Sequence, residues 1–371
     1  MPHLLMQHQK TIYNLFNLCL TPIMERPYYI RGGSLGDKIC HIQALRGNVQ
    51  FYFTIKSAVM NTTLLAAEYF QLLDRVLTSD RPDEETCFAP YHLILMHFSP
   101  LLERLAPTTS VGNLTLEDFV YAPTYHLDVI SGQNGQLGIQ GEEICTLTPA
   151  YDIASLSIFS APETWKPLPK TNARDLSLAR EEKEMKPLKS VQGKINTTTE
   201  GEGKYKFFKP RELGREKEFE REVEVLHRIR EAGLAGPTHR LPVLEALVVA
   251  GKQEQVVVGI LMNFISSPKL GCHLQSPGFK DQIDLHEKWE KQVRSTVTLL
   301  HEHGIVWGDV NPCNVAIDEA MNAWVIDFGG RNTVGFVDDD KAETKEGDWQ
   351  GVERLFRDWL TGGGVSGRNW D

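Results

Sequence analysis

A chain of 371 residues exceeds one typical hydrophobic core, so two domains are expected. Its 41% hydrophobic and 24% charged residues are those of a soluble globular protein, and a net charge of −10 supplies no field that would draw nucleic acid or an anionic membrane. The six cysteines (Cys19, Cys40, Cys87, Cys145, Cys272, Cys313) are scattered with no C-x-x-C pair, which argues against a zinc site and a disulfide framework.

In chain order, residues 12–20 form an apolar run broken by Asn14 and Asn17. It has no basic start and is too short for a signal peptide or a membrane span, so a cytosolic or nuclear location is the default expectation. Residues 26–57 alternate apolar and polar around glycines and predict strands, with the glycine-rich stretch 31–36 as a hairpin turn rather than a phosphate loop. Helices are predicted over 64–77 and 90–105, and a β-hairpin over 125–140 around Ser131-Gly132-Gln133-Asn134-Gly135. Residues 162–187, rich in proline and charge, predict a linker with one short helix around 176–184. The expected organisation is therefore an N-terminal α+β domain over 1–160, a linker over 161–185 and a second domain over 186–371. In that second domain, 204–209 reads as a strand preceded by a turn at Gly201 and Gly203. Phe219, Glu222, Val223 and Leu226 share one face at helical spacing, 256–262 reads as a buried strand, and 348–360 reads as a helix with Asp348 a good N-cap. Asp338, Asp339 and Asp340 predict a solvated loop, because consecutive acids point in different directions.

The stretch 301–330 carries the chemistry. Asp309 and Asn314 stand five apart, and the strand-like Ala323-Trp324-Val325-Ile326 delivers Asp327-Phe328-Gly329. A D-x-x-x-x-N loop followed by D-F-G has the order and spacing of a kinase signature. Phosphoryl transfer asks the protein mainly to position groups and to neutralise charge developing on phosphate oxygens. Mg2+ supplies much of that, held by one or two side-chain oxygens and the phosphates. Asp327 and Asn314 suit the metal, and Asp309 suits the hydroxyl that attacks. Cys313, inside the same loop, reads as a small packing residue.

On these motifs the chain resembles the protein-kinase-like superfamily. Lys206-Phe207-Phe208-Lys209-Pro210, Ile326-Asp327-Phe328-Gly329-Gly330 and 346–354 (EGDWQGVER) are similar to segments of small fungal kinase-like proteins with a reduced C-terminal lobe. The resemblance covers about 186–360. Residues 101–107 and 114–119 look like the region that precedes the kinase fold in those proteins. It implies a two-lobed α+β fold, with a small antiparallel sheet and one helix packed on a reduced helical lobe, after a separate α+β domain.

The resemblance also implies roles. Lys209 would anchor the α- and β-phosphates of ATP, with Lys206 the alternative because a strand's register is open in the sequence. Glu222 would orient that lysine. Met262, Asn263 and Phe264 would form the hinge beside adenine, and Gly193 is what remains of the glycine-rich phosphate loop. Three departures stand out. Trp307-Gly308-Asp309 replaces H-R-D, which leaves no arginine to receive a phosphorylated loop. Asn311 replaces a lysine that would stabilise γ-phosphate charge. The segment 330–347 is short and has no A-P-E. Asp348, in Gly347-Asp348-Trp349, resembles the acid that starts the large C-lobe helix and caps the backbone of the catalytic loop. The chain ends at Asp371, without the helices that often hold peptide substrates. The expected function is ATP- and Mg2+-dependent phosphoryl transfer to a hydroxyl on a protein Ser or Thr. The alternatives are a small-molecule phosphotransferase and a pseudokinase serving as a nucleotide-binding or scaffold module. No membrane or nucleic-acid partner is expected.

Overall fold

The computed structural model describes residues 28–35, 38–79, 82–107, 114–149, 153–178, 193–197, 205–251, 256–331 and 333–362. These form a mixed α+β structure in two compact units. One contains the described residues before 108 together with 121–148; the other contains 114–120, 149–178 and 193–362. Among the described residues, no helix is long and apolar enough to cross a membrane.

The first unit is a five-stranded sheet in the order β1 (Tyr29–Leu35), β2 (Ile39–Arg46), β3 (Val49–Lys56), β4 (Tyr121–Ser131), β5 (Leu137–Pro149). The β1–β2 and β2–β3 pairs are antiparallel and β3–β4 is parallel. Phe51, Phe53 and Ile55 alternate inward along β3, as a half-buried strand requires. The glycine-rich segment is not itself the turn: Gly32 and Gly33 lie in β1, opposite Gln43 and Ile42. A Cβ at Gly33 would lie 2.7 Å from both His41 O and the Tyr91 ring, so close packing explains that glycine. After a short helical turn at Ser57–Met60, the unit carries the longer helices α1 (Ala66–Thr78), α2 (Glu84–His97) and α3 (Ser99–Leu105). The single helix expected over 90–105 is thus two. The first begins earlier because Asp83 caps it, accepting from Thr86 N at 2.8 Å, and it carries Pro90 inside.

In the second unit a sheet runs β7 (Lys170–Asn172), β11 (Leu244–Ala250), β12 (Val256–Asn263), β10 (Tyr205–Pro210), β9 (Gly193–Thr197), β8 (Leu176–Leu178), with β6 (Leu156–Ser157) also on β12. Strands β9, β10, β11 and β12 pair antiparallel, and β7 joins β11 in parallel. Helix α4 (Glu216–Glu231) follows β10, with acids in its first turn and Arg228 and Arg230 in its last, the arrangement that favours its dipole. Helix α5 (Ile283–Glu302) buries Trp289, Val293, Thr296, Val297, Leu300 and His301, one stripe at helical spacing. A two-stranded ribbon, β13 (Val315–Ile317) and β14 (Ala323–Val325), then leads to helix α6 (Lys345–Glu353), which continues as a π-helical turn to Trp359. One apolar core joins α4, the sheet, α5 and the ribbon through Phe219, Val223, Leu247, Ile260, Val293 and Val325.

The domain division differs from the expected linker over 161–185. Trp165, Leu168, Ala173 and Leu176 are buried, Trp165 meets Phe219 edge-on at 6.0 Å, and β7 and β8 are strands of the second unit's sheet. The same unit takes in the helical turn Leu116–Val120, whose Glu117 accepts from Gly251 N at 2.9 Å and pairs with Arg174 at 2.6 Å. Proline and charge suggested a solvated linker, but apolar residues between the prolines decide where the chain lies. The helix expected around 176–184 begins as strand β8; its remainder, from 179, lies outside the described residues, as does the turn at Gly201 and Gly203.

Candidate functional site

Strand β10 presents Lys209 and Lys206 to different surroundings. Lys206 Nζ pairs with Glu245 at 2.8 Å, whereas Lys209 Nζ lies 2.6 Å from Glu222 Oε2 and 3.0 Å from Asp327 Oδ1. The register that the sequence left open is set by β10–β12 pairing, Lys209 opposite Ile260. Glu222 projects from the buried face of α4, and its side chain is 3% exposed. Burial pushes its carboxyl upward in pKa, and Lys209 opposes that shift. Burial works against the Lys209 charge, but Asp327 and Glu222 outweigh it and hold the ammonium above the ordinary lysine range.

Asp327 follows β14 with φ +59°, a left-handed conformation that Asp adopts more readily than bulkier residues. Its carboxyl loses solvation, but Lys209 holds it below the usual carboxylate value. Asp309 accepts from Asn314 Nδ2 at 3.1 Å and from Thr333 Oγ1 at 2.6 Å. Burial, aided by the Asp327 charge, raises Asp309 to about 6, while its hydrogen-bond donors act the other way. Asn314 spends its amide nitrogen on Asp309, on the backbone oxygen at 2.9 Å as well as the carboxylate. Lys209, Glu222 and Asp327 thus form one chain of contacts, Asp309 and Asn314 another, and the two share an electrostatic field.

The other expected residues fall elsewhere. Gly193 opens strand β9 opposite Phe208, so it is part of the ladder rather than of a loop; 179–192 lies outside the described residues. Met262 is buried in β12 opposite Phe207. Asn263 turns inward, its Oδ1 accepting from Val243 N at 2.6 Å and its own N–H donating to Val243 O at 3.2 Å. Phe264 meets Tyr205 at 6.2 Å, ring edge to face. Asp338 is held by Arg354 and Gln350 rather than serving as one of a triad of acids. Burial raises the Cys313 thiol to about 11, in keeping with a packing role. Among the described residues, no three His, Cys, Asp or Glu side chains gather as a metal cluster.

Several contributors were missed in the sequence. Asn311, noted there only as a missing lysine, caps the turn that carries Asn314: its Oδ1 accepts from Cys313 N at 2.9 Å and Asn314 N at 3.2 Å. Its Nδ2 donates to Thr333 Oγ1 at 3.0 Å. An x-N-P-x run is itself a turn signal and could have suggested that cap. Thr333 lies in an irregular segment with no periodicity to mark it. We predict that Thr333→Ala moves the acidic limb of any Asp309-dependent activity upward from about pH 6. The lost donor favours the carboxylate, so its removal makes protonation easier; a pH–rate profile reads the shift.

Asp348 is 2% exposed and lies under the loop. Its carboxylate accepts from Trp307 N and Gly308 N, each at 2.8 Å, and contacts His301 Nε2 at 2.8 Å. The N-cap of α6 is Thr344, which accepts from Gly347 N, and Asp348 stands inside the first turn instead. Asp348→Ala orphans two buried backbone donors at about 1–3 kcal/mol each, so urea unfolding should show a loss of roughly 2–6 kcal/mol.

A scan against protein-family models and a search of curated proteins each return no match for this chain.

Proposed function

We propose that the second unit is an ATP- and Mg2+-dependent phosphotransferase of protein-kinase-like, two-lobed build, acting on a hydroxyl, foremost that of a protein Ser or Thr. The observation that carries this reading is Lys209 bridging Glu222 at 2.6 Å and Asp327 at 3.0 Å, beside the Asp309–Asn314 pair. Of the three groups only Glu222 is buried, and a buried carboxylate is costly without a cation; a half-buried lysine held between it and the more open Asp327 is what a phosphate anchor requires. The sheet order β8–β9–β10–β12–β11, with α4 inserted after β10, supports the same reading.

The donor set suits Mg2+. Asp327 offers a carboxylate oxygen, and Asn314, with its nitrogen committed to Asp309, has its carbonyl oxygen to offer. Few protein oxygens are needed, since Mg2+ keeps waters and takes the rest of its shell from phosphate. The ion would supply charge neutralisation on the phosphates. Lys209 would hold the nucleotide's phosphates, with Glu222 fixing the ammonium. Asp309 would orient the acceptor hydroxyl and take its proton, a role served by a pKa raised to about 6. Asn311 favours a second reading, a small-molecule phosphotransferase, because its side chain is spent on the loop and supplies no cation to the γ-phosphate.

The test is the melting temperature with ATP, with and without Mg2+, for the wild type and Asp327→Ala. At a hundredfold excess over Kd, binding adds about 2.7 kcal/mol, a rise of roughly 5–11 °C. A Mg2+-dependent rise that Asp327→Ala abolishes is the expected result. No rise at millimolar nucleotide overturns the proposal and leaves a scaffold module in its place. An acceptor screen then separates protein from small-molecule substrates.

A further inference from the structure

One turn of α4 does more than deliver Glu222. Arg221, the preceding residue, turns toward the two segments that carry the acids. Its Nη2 donates to Val306 O at 3.2 Å, and its Nη1 donates to Trp307 O at 3.2 Å and to Phe328 O. The first two carbonyls precede Asp309, and the third belongs to the residue after Asp327. On the same side of the helix, Glu218 pairs with Arg331. Position 308 is a glycine with φ +88°, and a Cβ there would lie 2.6 Å from Arg221 Nη2. A Cβ at Gly330 would lie 3.1 Å from Arg221 Cδ. The chain thus lacks side chains where the Arg221 guanidinium lies. A planar fork of five N–H donors can serve three carbonyls on two segments at once, which an ammonium cannot match in geometry.

We infer that Arg221 is a positioning residue that locks α4 to the loops bearing Asp309 and Asp327, so that the Lys209–Glu222 pair assembles without any modification of the 330–347 segment. This rests on the phosphotransferase reading for its functional consequence, but the clamp itself is a property of the fold. If α4 moves away, Glu222 leaves Lys209, and the lysine loses the carboxylate that fixes it. In this chain the restraint comes from the helix, where position 308 carries no side chain to supply one from the loop.

The test compares wild type with Arg221→Ala, Arg221→Lys and Arg228→Ala. Arg228 is the control: on the same helix it donates to Gly304 O at 3.0 Å, a tie that touches neither acid-bearing turn. Arg221→Lys keeps the charge and the aliphatic stem while losing the fork. Both Arg221 variants should lose about 10²-fold in kcat, the scale of a small misplacement of catalytic groups. Arg228→Ala should stay within about twofold, and added guanidinium ion should restore part of the rate to Arg221→Ala. Hydrogen exchange should quicken over both 216–231 and 326–331 in the Arg221 variants. Unchanged exchange there, or an equal loss of kcat in Arg228→Ala, overturns the inference. The exchange arm reads the clamp whether or not the wild type transfers phosphate, so failure of the clamp is distinguishable from failure of the phosphotransferase reading.

Discussion

Asp309→Asn should lower turnover by about 10²–10⁴-fold while leaving the Mg2+-dependent rise in Tm with ATP in place. The substitution is isosteric. Asn keeps an oxygen to accept from Thr333 Oγ1, 2.6 Å away, and retains the backbone oxygen that Asn314 contacts at 2.9 Å. What it removes is the group able to take a proton and the second oxygen, which accepts from Asn314 Nδ2 at 3.1 Å, so Asn314 keeps only its bond to the backbone oxygen. It also removes a negative charge close to Asp327, so nucleotide affinity has no electrostatic reason to fall. Single-turnover transfer measured beside the Tm series separates the two effects. In the wild type, turnover should fall as pH drops through about 6, the value to which burial raises Asp309. A parallel loss of nucleotide binding and turnover in Asp309→Asn would show the residue to be structural.

Lys209→Met should act on stability as well as chemistry. It leaves Glu222, with a side chain 3% exposed, without its cation, and an unpaired buried carboxylate costs up to about 3–5 kcal/mol. The matching fall in Tm is roughly 6–20 °C. The sign with pH follows from burial. In the variant, Glu222 has a folded-state pKa above its unfolded value, so the folded state binds the extra proton. The loss is therefore small at low pH and grows as pH rises past the ordinary carboxylate range. Adding Glu222→Leu should recover most of the stability, because an apolar side chain needs no partner, while transfer stays abolished. Stability recovered without activity is the outcome that assigns the pair to function. A single variant as stable as the wild type at pH 8 would show that the pair carries no buried charge.

The two variants probe parts of the site that were unequally legible in the sequence. The grouping of Asp309, Asn314 and Asp327 was legible because its signal is local: fixed spacing, an apolar strand between them and a short turn on each side. The amphipathic pattern of α4 placed Glu222 on the apolar face, and the described helix buries it there. The mixed α+β class followed from the change between alternating and helical periods along the chain, as the strands and helices of both units bear out. Lys209 against Lys206 was not decidable, because a strand shows both faces and only pairing with β12 and the approach of α4 choose one.

What tertiary structure alone decided depends on contacts between residues far apart in the chain. Trp165 and Leu168 enter the core of the second unit from a stretch whose composition reads as linker, because burial depends on what surrounds an apolar side chain and not on its neighbours in sequence. Arg221 reaches Val306 and Trp307 across 85 and 86 positions, and Thr333 reaches Asp309 across 24. Neither contact carries a periodic or spacing signal. By itself the sequence determined the spacing of Asp309, Asn314 and Asp327 and the helix face that carries Glu222. Only the folded chain, by pairing strands and closing α4 over the two loops, determined which of those residues meet.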